Sequence, residues 1–284
     1  MNELPPKPVI VAFVSDLFFA SRIQTAAEKL GYEVNWIEDA DSFGEEIDQG
    51  TTRLLGEHME GIGAVVLELL TRILPALLIF DLSNPKVPWK EWLALIKSVP
   101  ATRRLPVICF GSHVDTQTLA EAKSRGAEIV VARSRFVDAL PEMIKNYARI
   151  PDLQVIEDAC QEPLSVAALN GLEQFNHGEY FDAHESLEEA WNQDRGVGRE
   201  LYRAILQIAV AYLQIQRGNY RGAIKMFLRV RQWIMPLPAV CRGVNVDKLR
   251  QDSEQVYKDL LLAGPDRIHQ FDRLVFKPVE YAIE

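Results

Sequence analysis

Several features that would assign a protein to a common class are missing from this sequence of 284 residues. Its three cysteines, Cys109, Cys160 and Cys241, are widely spaced and include no CxxC pair. Such a set argues against a disulfide framework and against a zinc site built from thiolates. We therefore expect a protein of the reducing cytoplasm.

Long hydrophobic runs and an excess of basic charge are also lacking. The most apolar stretch, residues 62–80, is interrupted by Glu68, Arg72 and Pro75, and the apolar segment near the N-terminus is short and flanked by prolines. We expect neither a membrane span nor a signal peptide. The net charge is -9, and acidic groups outnumber basic ones in both halves of the chain, so the composition gives no signal for nucleic-acid binding.

The length of the chain indicates two domains, since a typical domain has roughly 150 residues. A polar, acidic stretch begins at Ile150-Pro151 and ends at Glu162-Pro163, which is typical of a linker. We predict a first domain over residues 1–150, a linker over 151–165 and a second domain over 166–284.

The first domain alternates short apolar runs with amphipathic helical segments. The runs that we interpret as strands cover residues 9–14, 33–37, 76–80, 106–110 and 128–132. Continuously apolar strands that alternate with helices predict a buried parallel sheet with helices on both faces, an α/β fold.

Polar residues follow four of these strands, at the sheet edge where α/β proteins place their sites. They are Asp16, Asp81, Ser112 and Arg133. This order resembles the receiver domain of two-component response regulators over about residues 8–148. The resemblance implies a flavodoxin-like five-stranded sheet, with Asp81 as the phosphoacceptor and Asp16 as one member of an acidic pair that holds magnesium.

The sequence departs from the receiver pattern in three respects. Ser15 stands where the second acid of the pair is usual, Gly111 stands at the hydroxyl position with Ser112 one residue late, and Arg133 replaces a lysine. Weak magnesium binding by Asp16 and Asp81 stays open, as does phosphorylation of Asp81. The alternative, which we favour, is a pseudo-receiver that keeps the fold without the switch.

Residues 38–75 form a long connection in which the segment 51–74 carries more apolar residues than one helix face presents. Either this surplus binds a partner or a second copy of the chain, or it packs on the second domain of the same chain. The sequence leaves both open.

The second domain contains only helical patterns, separated by short turns that carry glycine or proline. The predicted helices cover residues 166–175, 181–191, 199–217, 220–233 and 246–263, and an extended tail follows residue 271. This arrangement predicts an antiparallel α-helical bundle.

Two strings in the bundle are distinctive. They are FNHGEYFDAHESLEEAW at residues 175–191, and QIAVA at 207–211 followed by QRGNYRGA at 216–223. Together they resemble a family of small helical microbial proteins known as a domain of unknown function. The resemblance implies an all-α fold and brings no activity.

The first string places His184, Glu185 and Glu188 on one helix, with His184 and Glu188 one turn apart. We expect these three side chains to form a polar cluster inside the bundle, neutralised by Arg203 or Arg217, because buried polar groups need such partners. A ligand or peptide pocket and a metal site, in the manner of a degenerate HExxH motif, remain the alternatives.

These patterns favour a non-catalytic signalling or regulatory protein. In it a degenerate receiver domain controls, or docks beside, a helical bundle that binds another protein, and a second copy of the chain is one candidate partner. The alternative is a metal-dependent hydrolase centred on His184, Glu185 and Glu188. No nucleophile–base pair or phosphate-binding loop in the sequence supports that alternative.

Overall fold

A computed structural model describes residues 7–43 and 62–282, which form two compact units divided between Ile150 and Pro151. The first unit contains residues 7–43 and 62–150, and the second contains residues 151–282. Within the described ranges, no helix is long and apolar enough to cross a membrane.

The first unit is built on a five-stranded parallel sheet with the strand order β2-β1-β3-β4-β5. The strands are β1 Val9–Phe13, β2 Glu33–Trp36, β3 Leu77–Asp81, β4 Val107–Gly111 and β5 Ile129–Ala132. This is the order of flavodoxin-like, doubly wound sheets. The predicted α/β fold class is therefore confirmed.

Five described helices cover the two faces of this sheet. They are α1 Leu17–Lys29, α2 Ile62–Ile73, α3 Trp89–Ser98, α4 Thr116–Ser124 and α5 Arg133–Tyr147. Helices α1 and α5 bury their apolar side chains on one face, and α2, α3 and α4 on the other. The central strands β3 and β4 are buried along their whole length, which explains their uninterrupted apolar sequences.

The apolar segment predicted over residues 51–74 lies partly outside the described residues, since the description resumes with α2. Within α2, Val66 and Leu70 are fully buried against the sheet of the first unit, and Leu69 packs beside them. These apolar residues of α2 therefore belong to the hydrophobic core of the first unit.

The second unit is predominantly helical, which confirms the predicted all-α class. Its helices are α6 Leu153–Ala159, α7 Val166–Asn176, α8 Tyr180–Gln193, α9 Glu200–Gln216, α10 Tyr220–Ile234 and α11 Val246–Ala263. A short antiparallel hairpin, β6 Val240–Cys241 and β7 Val244–Asn245, lies between α10 and α11. The segment expected to be a linker contains α6.

Helix α9 is the most buried helix of this unit, with aromatic side chains packed around its C-terminal half. The Tyr212 ring lies 5.3 Å from that of Tyr180 and 5.6 Å from that of Phe175. Gly171 allows α7 to approach α8 closely, because a Cβ atom there would lie 2.7 Å from Cγ of Leu187.

The tail after α11 packs on the same aromatic cluster. The ring of Phe276 stacks on Tyr212 with 4.1 Å between centroids. The side-chain amide of Asn176 donates to the carbonyl of Val279 at 3.0 Å and accepts from its backbone N–H at 2.7 Å. Tyr281 then pairs with Val244 of the hairpin.

Cys160 and Cys241 form a disulfide, so the expectation drawn from the cysteine spacing was wrong. The two residues are 81 positions apart in sequence, yet their Cα atoms are 4.4 Å apart because the chain returns to the end of α6 after α10. Cys109 is the free cysteine of the described residues and is buried in β4.

Candidate functional site

Asp81 is the last residue of β3 and is almost fully buried, with 2% of its surface exposed. Its carboxylate accepts a hydrogen bond from the backbone N–H of Ser83 at 2.9 Å. The guanidinium of Arg133 reaches the same carboxylate, with Nη2 at 3.1 Å from Oδ2 and 3.3 Å from Oδ1. The structure thus brings together two of the four residues predicted at this edge of the sheet.

Arg133 is held in place by an aromatic side chain that the sequence pattern did not indicate. Its guanidinium carbon lies 5.2 Å from the centre of the Phe19 ring, within the range of a cation–π contact. Phe19 in turn packs 4.9 Å from the ring of Phe110. The guanidinium of Arg133 thus contacts the carboxylate of Asp81 through its nitrogen and the ring of Phe19 through its flat face.

The other two predicted residues serve local turns. Asp16 is exposed and caps α1, its carboxylate accepting from the backbone N–H groups of Phe18 at 2.9 Å and Phe19 at 3.4 Å. Ser112 accepts from the backbone N–H of Val114 at 3.4 Å. The hydrogen bonds of the described residues join neither of them to Asp81.

Gly111 ends β4 at the position where receiver domains carry a hydroxyl. A Cβ atom there would lie 3.3 Å from both Leu82 and Leu119, so their side chains would have to shift to admit a serine or threonine. The shift needed is a few tenths of an ångström, so packing hinders a larger side chain at this position without excluding it.

A magnesium ion at this edge would need carboxylate oxygens free to ligate it. Both oxygens of Asp81 contact Nη2 of Arg133, and Oδ1 of Asp16 accepts the hydrogen bonds of the helix cap. A divalent cation would have to displace the guanidinium, so the arrangement does not fit a resident magnesium ion.

In the helical unit, the structure does not form the interior polar cluster expected around His184. Glu185 and Glu188 are exposed, His184 is half-buried, and Arg217 is exposed at the end of α9. The reason is the phase of α8, whose buried face is formed by Tyr180, Ala183, Leu187 and Ala190. No group of three His, Cys, Asp or Glu residues in the described parts of the chain is arranged to hold a metal ion.

Arg203 lies between two indoles instead of neutralising those acids. Its guanidinium carbon is 4.8 Å from the ring centre of Trp191 and 3.9 Å from that of Trp233. Glu200, one turn earlier on α9, lies 3.5 Å from the guanidinium. This arrangement joins α8, α9 and α10 on one side of the bundle.

Arg242, in the hairpin loop, is buried and contacts three segments of the helical unit. Nη1 donates to Oδ2 of Asp194 and to the hydroxyl of Tyr202, and Nη2 donates to Oε2 of Glu162, each at 2.6 Å. Desolvation by burial lowers its pKa, but Tyr202 and Asp194 outweigh this and raise the pKa overall. No sequence motif marks it, since its partners come from three distant segments.

Comparison with known proteins gives one family match. Residues 168–226 match the model of a family described as a domain of unknown function, DUF309, which confirms the family resemblance predicted for the helical strings. No curated protein matches the sequence.

Solved structures similar to the chain are response regulators. The phosphorylated cyanobacterial phytochrome response regulator RcpA is 19% identical, with 52% of this chain and 100% of that chain covered and a TM-score of 0.38. A putative response regulator from Chloroflexus aurantiacus is 18% identical (50% and 98% covered, TM-score 0.38). A receiver domain from Rhodospirillum rubrum is 22% identical (51% and 97% covered, TM-score 0.37).

Proposed function

We propose that this protein is a cytoplasmic signalling or regulatory protein, in which the receiver-like unit no longer acts as a phosphorylation switch and the helical unit binds another protein. The observation that supports this proposal is the ion pair between Asp81 and Arg133, 3.1 Å apart at the position of the phosphoacceptor.

Phosphoryl transfer to a carboxylate needs an exposed oxygen in line with the phosphodonor, and a metal ion that neutralises the developing charge. The side chain of Asp81 is 2% exposed, and its oxygens contact a guanidinium. Arginine is always charged, and Nη2 of Arg133 contacts both carboxylate oxygens of Asp81. The same carboxylate therefore serves to stabilise the sheet edge instead of accepting a phosphoryl group.

In the helical unit, Glu185 and Glu188 face outward, which favours the binding of a partner over a catalytic centre. These residues belong to the string that matches the family, yet they contribute nothing to packing because they are exposed. The hydrolase alternative would need a further ligand from another helix, whereas Glu185 and Glu188 lie on the exposed surface of α8.

The proposal is tested by treating the full-length protein with acetyl phosphate and magnesium and measuring its intact mass. We expect no phosphoryl adduct on the wild-type chain, and a spectrum identical to that of Asp81→Asn. An active receiver domain treated in parallel shows that the reagent works. A stable adduct on the wild-type chain that is absent from Asp81→Asn would show a functioning switch and contradict the proposal.

A further inference from the structure

Helix α6, the first element of the second unit, is attached to it by little apolar surface. None of its seven residues is buried, and Leu153 and Val155 are 49% and 47% exposed. A helix this short is not stable by itself in water. Its position therefore depends on what holds its C-terminal end.

That end is held by the hairpin loop. Cys160 directly follows α6 and is joined to Cys241 by the disulfide, and its carbonyl accepts from the backbone N–H of Arg242 at 2.7 Å. The Arg242 side chain also donates to the carbonyl of Ala159 at 3.3 Å and to Glu162 at 2.6 Å. Glu162 is 60% exposed, so this ion pair is screened by water and adds little.

The hairpin loop that holds α6 has itself a strained backbone. Arg242 has a φ of 52°, in the left-handed region that residues with a Cβ atom rarely adopt. Such a conformation persists only while the surrounding contacts enforce it. The disulfide at the preceding residue is one of these contacts, so opening it favours relaxation of the loop away from α6.

A cleft of about 390 Å³ leads to the disulfide. It is lined by Cys160 together with Glu162, Leu169, Val240 and Arg242, among others. Cys160 retains 4% of its surface whereas Cys241 is fully buried, so Cys160 is the more accessible residue of the pair.

We propose that Cys160–Cys241 is a redox-regulated pair, and that its reduction by a protein dithiol releases residues 151–163, which join the two units, from the helical unit. This device acts on the second unit and is independent of whether Asp81 is phosphorylated.

The exchange is a two-electron reduction in two steps. A thiolate of the reductant attacks Sγ of Cys160, the S–S bond breaks, and Cys241 leaves as a thiolate that takes a proton from water. The second thiol of the reductant then attacks the mixed disulfide and frees Cys160, which is protonated in turn. The reductant ends as a disulfide, and in that oxidised form it supports the reverse reaction.

The test compares the oxidised and reduced full-length protein during digestion with a protease that cuts after glutamate. Glu157 lies within α6, and Glu185 and Glu188 are exposed on α8, where they report any unfolding of the whole bundle. We expect cleavage after Glu157 to be at least tenfold faster after treatment with dithiothreitol or a dithiol protein, while Glu185 and Glu188 stay uncut. A Cys160→Ser/Cys241→Ser variant should behave like the reduced wild type, and Cys109→Ala should keep the redox response.

Alkylation of the denatured chain counts the thiols, and we expect one in the oxidised form and three after reduction. Three thiols that persist after treatment with the oxidised dithiol protein would overturn the proposal, as would equal cleavage after Glu157 in both states. Cleavage after Glu185 and Glu188 on reduction would also overturn it, because the whole bundle, and not residues 151–163 alone, would then have opened under the conditions of the digestion. If the double serine variant does not fold, chemical reduction of the wild-type chain carries the test.

Discussion

Two buried tyrosines of the helical unit differ in whether the hydroxyl group finds a partner. Tyr202 accepts from Nη1 of Arg242 at 2.6 Å and from the backbone N–H of Ser165 at 3.4 Å. The hydroxyl of Tyr220 is buried, and no hydrogen-bond partner for it exists among the residues that the structure describes. Burial raises the pKa of Tyr220, so its hydroxyl stays neutral and still forgoes its hydrogen bonds to water.

We expect the two Tyr→Phe substitutions to have opposite effects on the free energy of unfolding in urea. Tyr220→Phe removes an unsatisfied group and should leave stability unchanged or raise it by up to about 1 kcal/mol. Tyr202→Phe leaves a buried N–H of Arg242 without its acceptor and should cost about 1–3 kcal/mol. An equal loss in both variants would mean that Tyr220 also has a hydrogen-bond partner.

At this scale the sequence predicted part of the candidate site. Asp81 and Arg133 were predicted to lie at one edge of the sheet, because the carboxyl ends of parallel strands share that edge. Phe19 was not, since nothing in a sequence says which aromatic side chain will lie under a guanidinium. The cluster around His184 was predicted from a motif alone, and the positions of Ala183 and Leu187 on α8 already turn Glu185 and Glu188 outward.

The tail after α11 acts as an element of the bundle although it contains little regular structure. Phe276 lies against Tyr212 within the aromatic cluster, with nearly parallel rings at an angle of 3°. Leu274, two residues earlier, is 83% exposed. Phe276 thus makes a contact that substitution can remove, and the exposed Leu274 in the same short segment is the matched control.

We expect Phe276→Ala to lower the free energy of unfolding of the helical unit by about 1–2 kcal/mol, less than a fully buried phenylalanine because the ring is only half-buried. Leu274→Ala should change it by less than about 0.5 kcal/mol. Urea denaturation followed by circular dichroism measures both. A comparable loss at Leu274 would show that the tail contributes through its backbone rather than through the ring.

The helices and strands were largely predicted, because apolar periodicity and glycine stops are local signals. Gly178 and Gly218, for example, end α7 and α9 with positive φ values of 80° and 71°. The disulfide and the Arg242 contacts were not predicted from the sequence. They join segments 40 to 83 residues apart, which only the folded bundle brings together.

At the scale of the molecule, the chain divides into two compact units, and the disulfide lies in the second. We expect calorimetry of the full-length protein to show two transitions and a reductant to lower only one of them. Cross-linking residues 81 apart stabilises the folded unit by up to about 4.5 kcal/mol in the chain-entropy model, so the shift should be on the order of 10 °C. The Cys160→Ser/Cys241→Ser variant should show the lower transition without reductant. A reductant that moves both transitions or neither would contradict this division.

The pairing of Asn176 with Val279 also has a consequence for how the chain folds while it is being synthesised. The sheet and helices of the first unit are complete once residue 149 has left the ribosome, so this unit can close early. The side chain of Asn176, at the C-terminal end of α7, finds its hydrogen-bond partner only when Val279, more than a hundred positions later, has been synthesised. During that interval the aromatic side chains around Tyr212 lack their final cover, and the nascent helical unit is then most exposed to aggregation and most in need of a chaperone.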